Sequence, residues 1–294
     1  VIERLAIIGV GLLGGSVAKA VRAGGLAREV IGIGRDRARL QPAVRDGVLD
    51  RATTDFRDGL AGADLVLLAA PVLQNEALLE RVWPLAEDGA IVTDVGSTKT
   101  GIVRAADRLR AGRALAFVGS HPMAGSEQSG YAFARHDLFE HACVIVTPTD
   151  VGGPDTPRSC VAASHAHALK IVTGLWEALG ARVAVLDPEV HDRVVAAISH
   201  LPHLVADALV DAVVRFEPGA TAFAAGGFRD TTRIAASDPA MWQEIFVANR
   251  QALLASVGAF RMALDALEAR VRAGDRAALE ADLARIKRAR EAVA

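Results

Sequence analysis

Along the first 120 positions, short β-branched runs alternate with longer stretches in which apolar residues recur at helical spacing. Leu5–Gly9, Val30–Gly34, Leu65–Ala69, Ala90–Thr93 and Ala116–Gly119 read as strands, and Leu12–Ala23, Arg37–Asp46, Asn75–Trp83 and Thr100–Leu109 as helices. Strands that alternate with helices of this length imply right-handed crossovers and a parallel sheet covered on both faces. Cys143–Thr147 predicts a further strand, followed by a turn-rich stretch to Pro157, a helix over Ser159–Leu179 and a last strand over Ala181–Leu186.

After Asp187-Pro188 the pattern is helical to Ala294, with loops only around Glu217–Gly219 and Ala225–Asp230. The expected architecture is α/β: a Rossmann-type doubly wound sheet over residues 1–187, then an all-helical domain over 188–294. Leu253, Val257, Phe260, Leu264 and Leu267 recur on one side of a late helix. That stripe serves equally as a core face or as a surface for a second copy, and a homodimer is the expectation.

Composition narrows the function classes. With 51% hydrophobic and 23% charged residues, the 294-residue chain has enough apolar surface to fold. A net charge of −2 supplies no general positive field, so nucleic acid is not an expected partner. No run of eighteen apolar residues is free of charge and no leader pattern precedes Ile2, so neither a membrane span nor export is expected. Cys143 and Cys160 lack metal-ligand spacing and are expected as reduced, buried thiols of a cytoplasmic protein without a metal.

Gly9-Val10-Gly11-Leu12-Leu13-Gly14 stands between a predicted strand and a predicted helix, the setting that gives a GxGxxG string its meaning. Gly9 permits the turn, Gly11 admits a pyrophosphate to the backbone, and Gly14 allows close helix–sheet packing. Leu12 and Leu13 open the helix whose free N–H groups face the phosphates. The second strand ends at Gly34-Arg35 without the acid that receives a ribose 2′-hydroxyl, and Asp36 lies past its end. Arg35 then favours the 2′-phosphate, so NADP is preferred over NAD; the alternative is that Arg35, Arg37 and Arg39 form a solvated face and either cofactor serves.

Two segments follow predicted strands at the end of the sheet where ligands gather: Asp94-Val95-Gly96-Ser97-Thr98-Lys99 and Gly119-Ser120-His121-Pro122-Met123-Ala124-Gly125-Ser126-Glu127. His121 is the natural proton acceptor there. Together with Ser199–His203 and Gly226–Trp242, these strings resemble, in the same order, those of the prephenate and arogenate dehydrogenase family.

The resemblance implies oxidative decarboxylation of prephenate or arogenate, with His121 as catalytic base and Ser97 orienting it beside the nicotinamide. It implies that Arg233 pairs with a substrate carboxylate and that His200 and His203 line the substrate pocket. Glu127, Asp230 and Trp242 fall near its entrance or wall, and Gly226 lets the backbone approach the substrate. The chemistry agrees, since a base must take the ring hydroxyl proton as hydride leaves, and an arginine fork suits a carboxylate.

Plainer roles stand beside these. Pro202 frees backbone carbonyls that His200 and His203 would serve equally well; Arg233 fits a surface ion pair, and Trp242 fits a core. The length leaves no room for the regulatory domain or fused mutase of some relatives, so control by tyrosine is expected only at the active site. A 3-hydroxyacid dehydrogenase or imine reductase joins similar domains but relies on a Lys in the helical half, and Lys170 is the only Lys between residue 100 and Lys287. A non-catalytic NADP-binding sensor has no use for Ser97, His121 and Arg233 as a set.

Overall fold

A computed structural model describes residues 2–110, 113–125, 128–148 and 158–293. Eight strands, β1 (Ile2–Ile8), β2 (Ala27–Ile33), β3 (Arg51–Thr53), β4 (Leu65–Leu68), β5 (Ile91–Asp94), β6 (Ala116–Pro122), β7 (Cys143–Pro148) and β8 (Arg182–Val185), form one sheet in the order β3-β2-β1-β4-β5-β6-β7-β8. Helices α1 (Leu12–Ala23), α2 (Arg37–Arg45), α3 (Phe56–Leu60), α4 (Val72–Val82), α5 (Thr100–Leu109) and α6 (Arg158–Ala178) supply the crossovers.

The predicted strands and crossover helices are present, and three details differ. β3 and α3 were not anticipated, because three half-buried residues, Arg51–Thr53, carry no alternation strong enough to read. The sheet is mixed: β7 runs antiparallel to β6, with Ser120 opposite Val146 and His121 opposite Ile145. Between those two strands the described residues hold only the short 3-10 turn Tyr131–Phe133, whereas a parallel return needs a crossover of a dozen or more residues. The long α6 provides such a crossover afterwards, and β8 lies parallel to β7.

Successive residues of β1 point to opposite faces, and both faces are dry. Leu5 and Ile7 pack on one side with Val17, Phe139 and Trp176; Ala6 and Ile8 pack on the other with Leu79, Trp83 and Phe117. This double burial explains why the strands read as continuous apolar runs. It also leaves the strand ends as the place where polar chemistry can collect.

The remaining chain folds into α7 (Pro188–Val195), a π-turn at Ala196–His200, α8 (Leu201–Phe216), α9 (Gly226–Thr232), α10 (Pro239–Ala248), α11 (Arg250–Ala273) and α12 (Arg276–Glu291). Among the described residues, Pro188–Phe216 is long and apolar enough to cross a membrane by length and composition. It nevertheless carries His191, Asp192 and His200 buried in hydrogen bonds to other elements, which lipid would not offer. Leu253 turns into the core while Phe260 and Leu264 of the same stripe stay exposed. Cys143 is a free thiol at the start of β7, half-buried rather than buried; the side chain of Cys160 lies outside the described residues.

Candidate active site

At the start of α1, Gly9 has φ +98°, and a Cβ there would stand 2.5 Å from the Ala69 carbonyl oxygen. A Cβ on Gly14 would fall 2.1 Å from the Gly9 carbonyl oxygen, so only glycine lets the helix begin this close to the strand. Gly11 differs: a Cβ would meet nothing within 4 Å. The helix begins there without a side-chain cap, and the half-buried Leu12 and Leu13 begin its first turn. An open cradle over uncapped N–H groups suits a pyrophosphate. Beyond β2, Arg35 is exposed, while Asp36 accepts from the Ala38 N–H at 2.8 Å and caps α2.

Asp94 closes β5 and gathers the next turn around its carboxylate. Its Oδ2 accepts from the Gly96 N–H at 2.8 Å and from Lys99 Nζ, and its Oδ1 accepts from the Ser120 N–H at 3.2 Å. Gly96 is required by that geometry, since a Cβ would lie 2.8 Å from Asp94 Oδ2. Gly119 leaves room for the buried Lys99 chain, whose Cδ would be 3.1 Å from a Cβ there. Ser97 sits half-buried on this turn.

His121, at the neighbouring end of β6, is 7% exposed, and its Nδ1 lies 2.9 Å from His191 Nε2. His191 rather than Ser97 therefore holds that nitrogen. Asp187 starts α7 by accepting from the Glu189 and Val190 N–H groups at 2.9 and 3.1 Å, with Pro188 in the first turn. The resulting phase turns His191 and Asp192 inward with Val195 and Ala196.

Asp192 Oδ1 lies 2.8 Å from His191 Nδ1 and accepts from the Lys99 N–H at 2.8 Å; its Oδ2 accepts from the Thr100 N–H at 2.9 Å. One carboxylate thus joins the helical domain to the start of α5. Asn249 Nδ2 donates to the Asp192 carbonyl at 2.8 Å and lies 3.1 Å from His200 Nδ1.

Burial sets the protonation of this group. His121 is held well below the ordinary histidine range by desolvation, reinforced by His191, Lys99 and His200. Burial likewise lowers His191 against the opposing pull of Asp192, and lowers His200 to about 4. Asp192 is lowered although burial opposes it, because His191, Thr100 and Lys99 hydrogen-bond its charged form. Burial thus favours the neutral form of the imidazoles, and hydrogen bonding favours the charged form of the carboxylate.

The π-turn before α8 has a local cause. Pro202 has no N–H for the Ile198 carbonyl and its ring crowds that carbonyl, so the chain widens and the Leu201 N–H bonds Ala196 O instead. His200 becomes 1% exposed, with its Nε2 buried and unpartnered. His203 is half-buried, its Nδ1 3.4 Å from the Ser199 carbonyl and its Nε2 3.4 Å from Ser237 Oγ. Its ring stacks on Trp242, centroids 3.3 Å apart, and Trp242 stands 6.1 Å from the His200 ring with its own Nε1 buried and unpartnered.

Gly226 and Asp230 on α9 and Arg233 just after it are exposed, and no hydrogen bond or ion pair among the described residues joins them to His121. Arg233 is near enough that its charge helps depress His203, after burial. Glu127 lies outside the described residues. Among the described residues no group of three or more His, Cys, Asp or Glu side chains is arranged for a metal ion.

His191, Asp192 and Asn249 carry no sequence motif of the kind that marked His121. Their one signal is polar residues on the buried phase of a helix, which is informative because such residues need partners.

Comparison with known proteins follows the same division of the chain. Residues 17–185 match the family described as "Prephenate dehydrogenase, nucleotide-binding domain", and residues 187–285 match "Prephenate dehydrogenase, dimerization domain". A prephenate dehydrogenase of Bacillus subtilis (strain 168) is 39% identical over 259 residues, covering 86% of this chain and 66% of the relative; this chain thus spans just under two thirds of that protein's length. The crystal structure of prephenate dehydrogenase from A. aeolicus with hydroxyphenyl propionate and NAD+ superposes with a TM-score of 0.84 at 32% identity, covering 99% of this chain and 98% of that one. Synechocystis arogenate dehydrogenase superposes with a TM-score of 0.82 at 31% identity, covering 98% and 99%.

Proposed function

The chain belongs to the prephenate dehydrogenase family, and we propose on that footing that it oxidatively decarboxylates prephenate or arogenate toward tyrosine, with NAD(P) as hydride acceptor. The observation that carries this reading is the buried His121 at the end of β6, held by His191, in the same sheet whose β1 ends in an open glycine turn.

In the proposed reaction the substrate's ring hydroxyl gives its proton to His121 as hydride leaves the same carbon, and that carbon becomes a carbonyl. When bound, the nicotinamide supplies the hydride acceptor. The bond from the ring to its carboxylate then breaks, carbon dioxide departs, the electron pair moves through the ring onto the carbonyl oxygen, and that oxygen takes back a proton to give the aromatic phenol. Gly11, Leu12, Leu13 and Gly14 would hold the pyrophosphate through backbone N–H groups, with Gly9 making the turn. Ser97 is assigned to the nicotinamide side of His121.

Arg233 is assigned to a substrate carboxylate, His200, His203 and Trp242 to the pocket wall, and Gly226, Asp230 and Glu127 to its rim. Arg35 is assigned to a ribose 2′-phosphate, which makes NADP the preferred cofactor; the exposed guanidinium directly after β2 supports this.

We place the protein in the cytoplasm as a homodimer formed through its helical half. Phe260, Met262 and Leu264 on α11 and Leu283 and Ile286 on α12 are exposed large apolar side chains that a second copy would cover.

The test is direct. Purified protein is expected to reduce NADP, and NAD less well, when given prephenate or arogenate, with carbon dioxide released in equal amount. Absence of turnover with both substrates and both cofactors overturns the proposal.

A further inference from the structure

Asp192 reaches two imidazoles by two routes. Its carboxylate meets His191 Nδ1 at 2.8 Å, and His191 Nε2 meets His121 Nδ1 at 2.9 Å. Its main-chain carbonyl accepts from Asn249 Nδ2 at 2.8 Å, and the same Nδ2 lies 3.1 Å from His200 Nδ1.

Each route has one consistent assignment of protons. Asp192 already accepts from the Lys99 and Thr100 N–H groups and, as a carboxylate, can only accept. His191 therefore carries its proton on Nδ1 and offers a bare Nε2, and His121 Nδ1–H must donate to it. His121 is left with a lone pair on Nε2. On the other route the Asp192 carbonyl requires the amide nitrogen of Asn249, not its oxygen, at that position. The second N–H of that amide then points at His200 Nδ1, which must accept. His200 is left with a proton on Nε2, the atom that is buried without a partner. Which nitrogen of a histidine is free for chemistry depends in this way on the bond made by the other.

We propose that His191 and Asn249 are positioning residues which, both anchored on Asp192, set the two pocket imidazoles in opposite senses: His121 bare at Nε2 to accept a proton, His200 protonated at Nε2 to donate to a substrate oxygen. The inference rests on the reading of His121 as the base, and goes beyond it by assigning residues that need touch neither substrate nor cofactor.

The test combines tautomer-resolved nitrogen-15 NMR of the imidazoles with steady-state kinetics. In the wild type, the proton is expected on Nδ1 of His121 and His191 and on Nε2 of His200. His191→Leu is expected to release the His121 tautomer and lower kcat about 100-fold or more with little change in KM. His191→Gln, whose amide oxygen can accept from His121 Nδ1–H, is expected to recover kcat to within roughly tenfold of wild type. Asn249→Asp is expected to move the His200 proton to Nδ1 and raise KM for substrate about tenfold, with a smaller loss in kcat.

A wild-type spectrum with the His121 proton on Nε2, or a folded His191→Leu enzyme with kcat within about threefold of wild type, overturns the proposal. If His191→Leu does not fold, the wild-type spectrum and the Gln variant still decide. If the wild type turns over neither substrate, the proposed activity fails separately, and the proton positions are still read from the spectrum.

Discussion

Lys99 and Asp94 form an ion pair whose side chains are 0% and 1% exposed, at the end of the strand beside the candidate base. Burial pulls the Lys99 ammonium below its ordinary range, and Asp94 opposes that pull. Breaking such a pair strands the remaining charge away from water, which costs about 3–5 kcal/mol, whereas removing both charges costs much less. Lys99→Met is therefore expected to destabilise the protein by about that amount, and Asp94→Asn with Lys99→Met to recover a substantial part of it. Denaturant unfolding of the two variants is the measurement; equal stability of Lys99→Met and wild type would mean the pair holds nothing together.

His121→Asn keeps a polar side chain of similar reach but no base. Turnover is expected to fall at least ~100-fold while substrate affinity changes little, the pattern of a group that acts in the transition state. Stopped-flow and equilibrium binding separate the two quantities, and a variant that keeps most of its rate would remove His121 from the mechanism.

Arg35→Ala removes the exposed guanidinium beyond β2. It is expected to lower kcat/KM for NADP about tenfold or more and to leave NAD nearly unchanged. Equal losses with the two cofactors would show that the arginine only decorates the surface.

The site histidines make stability depend on pH with a definite sign. His121, His191, His200 and His203 all titrate below 6.5 in the folded protein, because burial disfavours their charged forms. The unfolded chain therefore binds protons first as pH falls, and stability declines from about pH 6.5 downward. For His200, lowered to about 4, the decline runs from 6.5 to about 4 and amounts to roughly 3.5 kcal/mol at most. His200→Asn is expected to flatten the curve of Tm against pH over that window, and an unchanged slope would contradict the burial argument. The same direction of shift places the acid limb of kcat/KM below pH 6.5, since the base must stay neutral to work.

Much of this molecule was legible in one dimension. Strand, glycine turn and helix at Gly9–Gly14 were legible because the order strand, turn glycines, helix is a local pattern, although the close approach to Ala69 that also demands glycine belongs to the packed sheet. His121 was also legible, because a strand in a doubly wound sheet delivers whatever follows it to the ligand edge. The direction of β7 and the existence of β3 were not, since one depends on what connects two strands and the other on pairing with a neighbour.

The partners of His121 were out of reach of any pattern. His191 is 70 residues away in sequence, and Asn249 meets Asp192 across 57. Periodicity reports which face of a helix is buried, not what that face is buried against. The amino-acid order determined where His121 would stand; the docking of α7 and α11 on the sheet decided what holds it, because a buried polar group must find its partner wherever the packed helices bring one.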